Sequence, residues 1–191
     1  MARTPSTMLD LGTAAPDFNL PDPFSGNEVN LSDYRDTPLL VVFSCNHCPY
    51  VLHILRSFTD YANQARQQGL SVVMINANDV DTYPDDSPPK MIELARDYGF
   101  EFPYLFDQSQ QVAIAYQAAC TPDFFLFNDH HKLVYRGQYD SARPGNDESL
   151  TGADLKSATN ALLNNQIVST EQIPSMGCNI KWRAGNAPSY Q

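Results

Sequence analysis

Leu39-Leu40-Val41-Val42-Phe43-Ser44-Cys45-Asn46-His47-Cys48-Pro49-Tyr50 is the stretch on which the fold turns. Its first five residues form an uninterrupted apolar run of strand length, the pattern of a strand buried on both faces of a central sheet. From Val51 the apolar positions Val51, Ile54, Leu55, Phe58, Tyr61, Ala62 and Ala65 recur at helical intervals, and Gly69 is placed to end that helix. Two cysteines therefore stand, with two residues between them, at a strand-to-helix junction. A thiol in the first turn of a helix faces unsatisfied N–H groups and the positive end of the helix dipole, both of which favour thiolate over thiol. The spacing predicts Cys45 as a nucleophile and Cys48, about one turn on, as the thiol that resolves a mixed disulfide.

Leu70-Ser71-Val72-Val73-Met74-Ile75-Asn76 is the next β-rich run, so the order is strand, helix, strand, the signature of a parallel crossover in an α/β sheet. Upstream, Phe18 and Leu20 alternate and Gly26-Asn27 supplies turn chemistry, which predicts a short hairpin. Downstream, the polar, acidic, proline-bearing segment from Asn76 to Pro89 reads as a surface loop. Met91, Leu94, Ala95 and Tyr98 mark a helix ending near Gly99, Tyr104-Leu105-Phe106 a brief strand, and Gln110 to Gln117 a short helix. Asp123-Phe124-Phe125-Leu126-Phe127 and Leu133-Val134-Tyr135-Arg136 read as an antiparallel pair. Thr151 and Asp154 have the spacing of a capping box ahead of a last helix carrying Leu155, Ala158, Leu162 and Leu163. The tail from Gln166 to Gln191 shows no clear period. The reading is one domain, with a hairpin extension over 1–36, a core over 37–165 and a tail over 166–191.

At 191 residues the chain is long enough to bury roughly 70% of its unfolded surface. A net charge of −10, with the Lys and Arg scattered, argues against a nucleic-acid partner. No apolar run approaches the ~20 residues of a membrane span, and Met1 to Leu20 lack the apolar core of a secretory signal. The expectation is a cytoplasmic protein without a membrane partner. In that setting four cysteines, Cys45, Cys48, Cys120 and Cys178, point to catalysis or metal binding in preference to a disulfide framework.

A structural zinc site wants a second C-x-x-C or a His pair at matching spacing, and Cys120 and Cys178 lie far along the chain. A c-type haem wants C-x-x-C-H, but Pro49 follows Cys48. A cationic imidazole at His47 would stabilise a Cys45 thiolate and make the disulfide more oxidising. The competing reading is an exposed histidine with little electrostatic effect. Thr121-Pro122, just ahead of a β-rich run, is placed to adopt a cis bond in a specific turn.

Ala15-Pro16-Asp17-Phe18, Cys45-Asn46-His47-Cys48-Pro49-Tyr50-Val51, Cys120-Thr121-Pro122-Asp123-Phe124 and Pro174-Ser175-Met176-Gly177-Cys178-Asn179-Ile180-Lys181-Trp182 together resemble the thioredoxin-like superfamily, in its alkyl hydroperoxide reductase/thiol-specific antioxidant branch. The resemblance implies a thioredoxin-like fold, a central mixed sheet flanked by helices. It implies Cys45 as nucleophile, Cys48 as resolving thiol, Pro122 as a cis proline facing the thiols, and Thr121 offering its backbone to an extended substrate. It requires no metal or organic cofactor, and its partners would be a disulfide-containing protein or small thiol and a reductant such as thioredoxin reductase or the glutathione system.

Against the peroxidase members, Pro38 and Cys45 fit the peroxide-binding frame, but the threonine position holds Val42, which has no hydroxyl to donate. Against thioredoxin itself, the strand before the motif has no buried acid, so proton removal from Cys48 lacks an evident base apart from water or His47. Cys120 and Cys178 are candidate auxiliary thiols, Cys120 approaching from the side and Cys178 folding back, with simple packing as the other reading. The leading expectation is a thiol–disulfide oxidoreductase; a Cys45 peroxidase and a redox-inert or zinc-holding module stay open.

Overall fold

The computed structural model describes residues 3–190. In chain order the strands and helices are β1 (Arg3–Pro5), β2 (Asn19–Pro21), β3 (Glu28–Asn30), β4 (Leu39–Phe43), α1 (Pro49–Gln67), β5 (Ser71–Asn76), α2 (Pro88–Tyr98), β6 (Tyr104–Phe106), α3 (Gln111–Ala115), β7 (Cys120–Thr121), β8 (Asp123–Phe127), β9 (Leu133–Tyr135), α4 (Ala153–Leu163) and β10 (Met176–Asn179). Short 3-10 turns cover Leu31–Tyr34 and Pro84–Asp86.

The apolar run Leu39–Phe43 is the middle strand of a five-stranded sheet ordered β6-β5-β4-β8-β9. It runs parallel to β5 and antiparallel to β8, so the sheet is mixed. The fold is thioredoxin-like, as the sequence implies. All five β4 residues are buried because alternate side chains enter two different apolar layers. Leu40 and Val42 pack with Ile54, Phe58 and Ala62 of α1, while Leu39, Val41 and Phe43 pack with Tyr116, Phe125 and Phe127. Truncating such a residue to alanine costs about 2–5 kcal/mol. This rigid strand fixes where the motif begins.

Helix α1 opens on Pro49, whose missing N–H costs nothing at the first helical position. It ends ahead of Gly69, which holds the left-handed φ of +102°. The N-terminal hairpin forms as β2 with β3, and β8 pairs with β9.

The tail, which shows no clear period in the sequence, supplies a strand: β10 pairs with β7 on one edge and with β1 on the other. Two expectations need correction. The segment from Asn76 to Pro89 is a surface loop only in part: Asp81, Thr82, Pro84, Asp85 and Pro89 are exposed, but Asn76, Asn78, Asp79 and Asp86 are buried, and Asp86 holds the motif through the Asn46 N–H. The predicted capping box does not form, since Gly152 is the N-cap of α4 and Asp154 instead accepts a hydrogen bond from Gln138 Nε2 at 2.5 Å. Among the described residues no helix is long and apolar enough to cross a membrane.

Candidate active site

The sheet delivers Ser44 to the end of β4, where its N–H bonds Ile75 O. The chain then turns away from the sheet, so Cys45 lies in the connecting loop and not in the helix. Cys48, three residues later, is the N-cap, a shift from the expected placement that follows from the preference of Pro49 for the first helical position. Both are free thiols and both are buried.

The Thr121–Pro122 bond is cis and faces both sulfurs. Thr121 Oγ1 lies 3.4 Å from Cys45 Sγ, and Thr121 O accepts a hydrogen bond from the Cys48 thiol at 3.2 Å. The backbone edge of Thr121, expected to be open to an extended substrate, is covered by β10 of the same chain, with Cys178 opposite Thr121. The approach is close: a Cβ on Gly177 would come within 2.0 Å of Thr121 O. Cys178 thereby joins Cys45, Cys48, Val51 and Leu55 in one buried cluster.

On the other flank stands Asp86, fully buried and not anticipated from the sequence. Its carboxylate accepts the Asn46 N–H at 2.7 Å and the Asn78 amide at 2.7 Å. His47 Nδ1 lies 2.8 Å from Oδ2 at an angle outside hydrogen-bond range. The His47 ring stacks on Tyr83 with the ring planes 2° apart. His47 thus sits between Asp86 and Tyr83, with a ring nitrogen within 4.8 Å of Cys45 Sγ. The only cue in the sequence was Asp85-Asp86 itself, within a run that reads as solvated.

The charge balance of the thiols follows from these contacts. Burial, reinforced by the Asp86 carboxylate, pushes the Cys45 thiol well above the ordinary range. Cys48 is drawn down to about 5, first by the hydrogen bond from Cys45, then by the Cys178 thiol and the N–H groups of Val51 and Cys178. The Val51 N–H points at this sulfur without closing a capping hydrogen bond. The contacts that favour charge on Cys48 stand beside one that favours it on Cys45, the Thr121 Oγ1 hydrogen bond. The two sulfurs titrate as one unit that gives up its first proton easily and holds the second.

Cys120 is fully buried, bonds Pro122 O at 3.5 Å, and lies outside the cluster of the other three cysteines. Burial and the neighbouring Asp123 push its thiol well up. The buried Arg136 divides its guanidinium among Ser6, Gln117 and Asp123 and lies over the Phe125 ring. Val42, at the position where a peroxide-binding hydroxyl is wanted, sits in the apolar layer against α1.

Cys45, His47 and Asp86 have ligand atoms within 4.8 Å of one another and are the residues that could hold a metal ion. The His47–Asp86 spacing of 2.8 Å is shorter than the ~3.3 Å subtended by two ligands about 2.0 Å from a tetrahedral zinc. Both Asp86 oxygens are already occupied by protein donors.

A dithiol at the end of a central strand, opposite a cis proline, in this sheet order, defines a thioredoxin-like protein. More closely, the chain belongs to the AhpC/TSA family, whose model matches residues 11–136. It is similar to the crystal structure of a hypothetical protein, SMc02350 of Sinorhizobium meliloti 1021, at 49% identity and a TM-score of 0.93, over 95% of this chain and 100% of that one. It is 28% identical over 130 residues to the thiol-disulfide oxidoreductase ResA of Geobacillus kaustophilus, covering 68% of this chain and 70% of that protein. It is 33% identical over 116 residues to Mycobacterium tuberculosis MT2597, named as a candidate peroxiredoxin, covering 60% of this chain and 68% of that protein. Family and relatives together support an oxidoreductase role.

Proposed function

We propose that this protein is a thiol–disulfide oxidoreductase whose working pair is Cys45 and Cys48. The observation that carries the reading is the convergence of both sulfurs on Thr121, at 3.4 and 3.2 Å, beside the cis Thr121–Pro122 bond and the start of α1. In the reducing direction one sulfur of the pair, as thiolate, attacks a partner disulfide; a mixed disulfide forms and one partner thiolate leaves. The second sulfur then attacks the mixed disulfide, closing Cys45–Cys48 and releasing the other partner thiolate. Two electrons pass from the dithiol to the partner; the one proton held by the pair goes to a released thiolate, and solvent supplies the proton for the other.

Because the pair holds one proton between its sulfurs, moving that proton from Cys45 to Cys48 puts the negative charge on Cys45 without changing the net charge of the buried site. The Asp86 carboxylate disfavours that charge. Thr121 Oγ1 supplies a hydrogen bond that favours it. The partners are disulfide-bearing proteins or small disulfides, with a cellular thiol system returning the electrons. Both sulfurs are covered by β10 and by the segment bearing Asp86, so a protein partner requires one cover to swing aside.

A Cys45 peroxidase is the second reading, favoured by the similarity to MT2597. Val42 counts against it. Reduction of insulin disulfides by dithiothreitol, accelerated by the protein and lost in Cys45→Ser and Cys48→Ser, is the expected result. Peroxide consumption that depends on Cys45 and outruns disulfide exchange would reverse the order of the two readings.

A further inference from the structure

β10 places a third thiol against the pair. Its register sets Cys178 opposite Thr121, the one residue that touches both Cys45 and Cys48. Side chains alternate along a strand, so Cys178 projects to the Thr121 side of β7 and away from Cys120, whose register partner is Asn179. Cys178 accordingly shares a buried cluster with Cys45 and Cys48, and Cys120 does not. Gly177 makes this possible, because any side chain there would meet the Thr121 carbonyl.

The strand is pinned at both ends. Ser175 Oγ donates to Pro122 O at 2.6 Å and Ser175 O accepts the Ser6 N–H at 2.8 Å. Beyond it, the Lys181 N–H bonds Asn78 Oδ1 at 2.8 Å, and Asn78 in turn holds Asp86. An extended segment of the chain thus lies along the cis-proline edge, presenting a cysteine to the dithiol as a substrate strand would.

We propose that Cys178 is a third redox thiol, which exchanges with the Cys45–Cys48 disulfide to form Cys48–Cys178. This rests on the dithiol reading of Cys45 and Cys48. In the exchange the Cys178 thiolate attacks Cys48 Sγ, the Cys48–Cys178 bond forms as the Cys45–Cys48 bond breaks, and Cys45 leaves as thiolate. The proton lost by Cys178 is taken up by Cys45. No external oxidant or reductant enters, because one disulfide and one thiol are present before and after. The oxidising equivalent is parked on β10 and Cys45 is free to meet another partner.

Trypsin separates the thiols for a direct test. Cys45 and Cys48 share the fragment 36–56, Cys178 lies in 157–181 and Cys120 in 97–132. Wild-type, Cys45→Ser, Cys178→Ala and Cys120→Ser proteins are oxidised with diamide, quenched in acid, alkylated with N-ethylmaleimide, digested and analysed by mass spectrometry. Circular dichroism melting establishes that each is folded. The expected result is fragment 36–56 joined to 157–181 through Cys48 in wild type, Cys45→Ser and Cys120→Ser. If these fragments stay unjoined in both wild type and folded Cys45→Ser, the assignment of Cys178 is overturned. Failure of the dithiol reading looks different: the disulfide within 36–56 is then missing from both wild type and Cys178→Ala, whereas joined fragments in Cys45→Ser still support the role of Cys178.

Discussion

Asp86→Asn is the perturbation that reads the buried flank of the site most sharply. The carboxylate accepts two close hydrogen bonds, from the Asn46 N–H and the Asn78 amide, and faces His47 at 2.8 Å. An asparagine of the same shape offers one acceptor oxygen and an NH2 group. If its oxygen keeps the Asn46 N–H, its NH2 confronts the Asn78 NH2. Asn78 cannot flip to compensate, because its Oδ1 already accepts the Lys181 N–H at 2.8 Å. The variant therefore loses a hydrogen bond to a charged acceptor, about 1.5–3 kcal/mol, and leaves a buried donor unpaired, about 1–3 kcal/mol. The expected net loss is about 3 kcal/mol, a fall in Tm of roughly 6–12 °C for a chain of this size. Urea unfolding of the reduced protein at pH 7 measures it. Removing the charge also removes one cause of the elevated Cys45 thiol. In a Cys48→Ser background, Cys45 therefore alkylates faster at a given pH once Asp86→Asn is added than while Asp86 is kept. A loss of stability under about 0.5 kcal/mol, the range of an ordinary surface substitution, would refute the account of Asp86 as the buried anchor of the motif.

Cys48→Ser removes the sulfur on which the stabilising contacts converge, so the iodoacetamide rate profile should lose its step near pH 5, leaving Cys45 titrating above the ordinary thiol range; a step that persists near 5 would return the thiolate to Cys45. Gly177→Ala forces a methyl to within 2.0 Å of Thr121 O and should cost about 1–3 kcal/mol while exposing Cys178 to alkylation, read by urea unfolding and timed labelling. Folded protein keeps the Cys178 proton to about pH 12 whereas the unfolded chain releases it near 9. That contribution is complete below pH 9 and declines between about 9 and 12, so the urea midpoint should fall further from pH 8 to pH 10.5 in wild type than in Cys178→Ala.

The sequence carried the centre of the fold because its signals there are local. The five-residue apolar run, the helical spacing after Val51 and the next β-rich run place β4, α1 and β5 without reference to anything distant. The two cysteines and the Thr121–Pro122 pair were likewise legible as residue types in a pattern. β10 was not, because Met176-Gly177-Cys178-Asn179 has no alternation to read; it is a strand because the backbone edges of β7 and β1 flank it. Asp86 was hidden for a related reason. An acidic, proline-bearing stretch reads as solvated unless its charge has partners, and those partners, Asn46 and Asn78, become adjacent only after folding. The buried pair Arg136 and Asp123 escaped notice in the same way. The helix starts at Pro49, a boundary shift of a few residues that makes Cys48 the N-cap and leaves Cys45 in the preceding loop.

The central claim, that Cys45 and Cys48 form a reversible dithiol–disulfide couple, is tested most directly by their reduction potential. Equilibration of the Cys178→Ala protein in glutathione buffers of graded ratio, followed by acid quench and mass analysis of fragment 36–56, gives the midpoint without interference from β10. The contacts that favour thiolate at Cys48 stabilise the reduced form, so the account predicts one two-electron transition with a midpoint above the ~−270 mV of thioredoxin. A midpoint below that value would contradict the electrostatic account, and no disulfide within 36–56 at any ratio would contradict the dithiol itself.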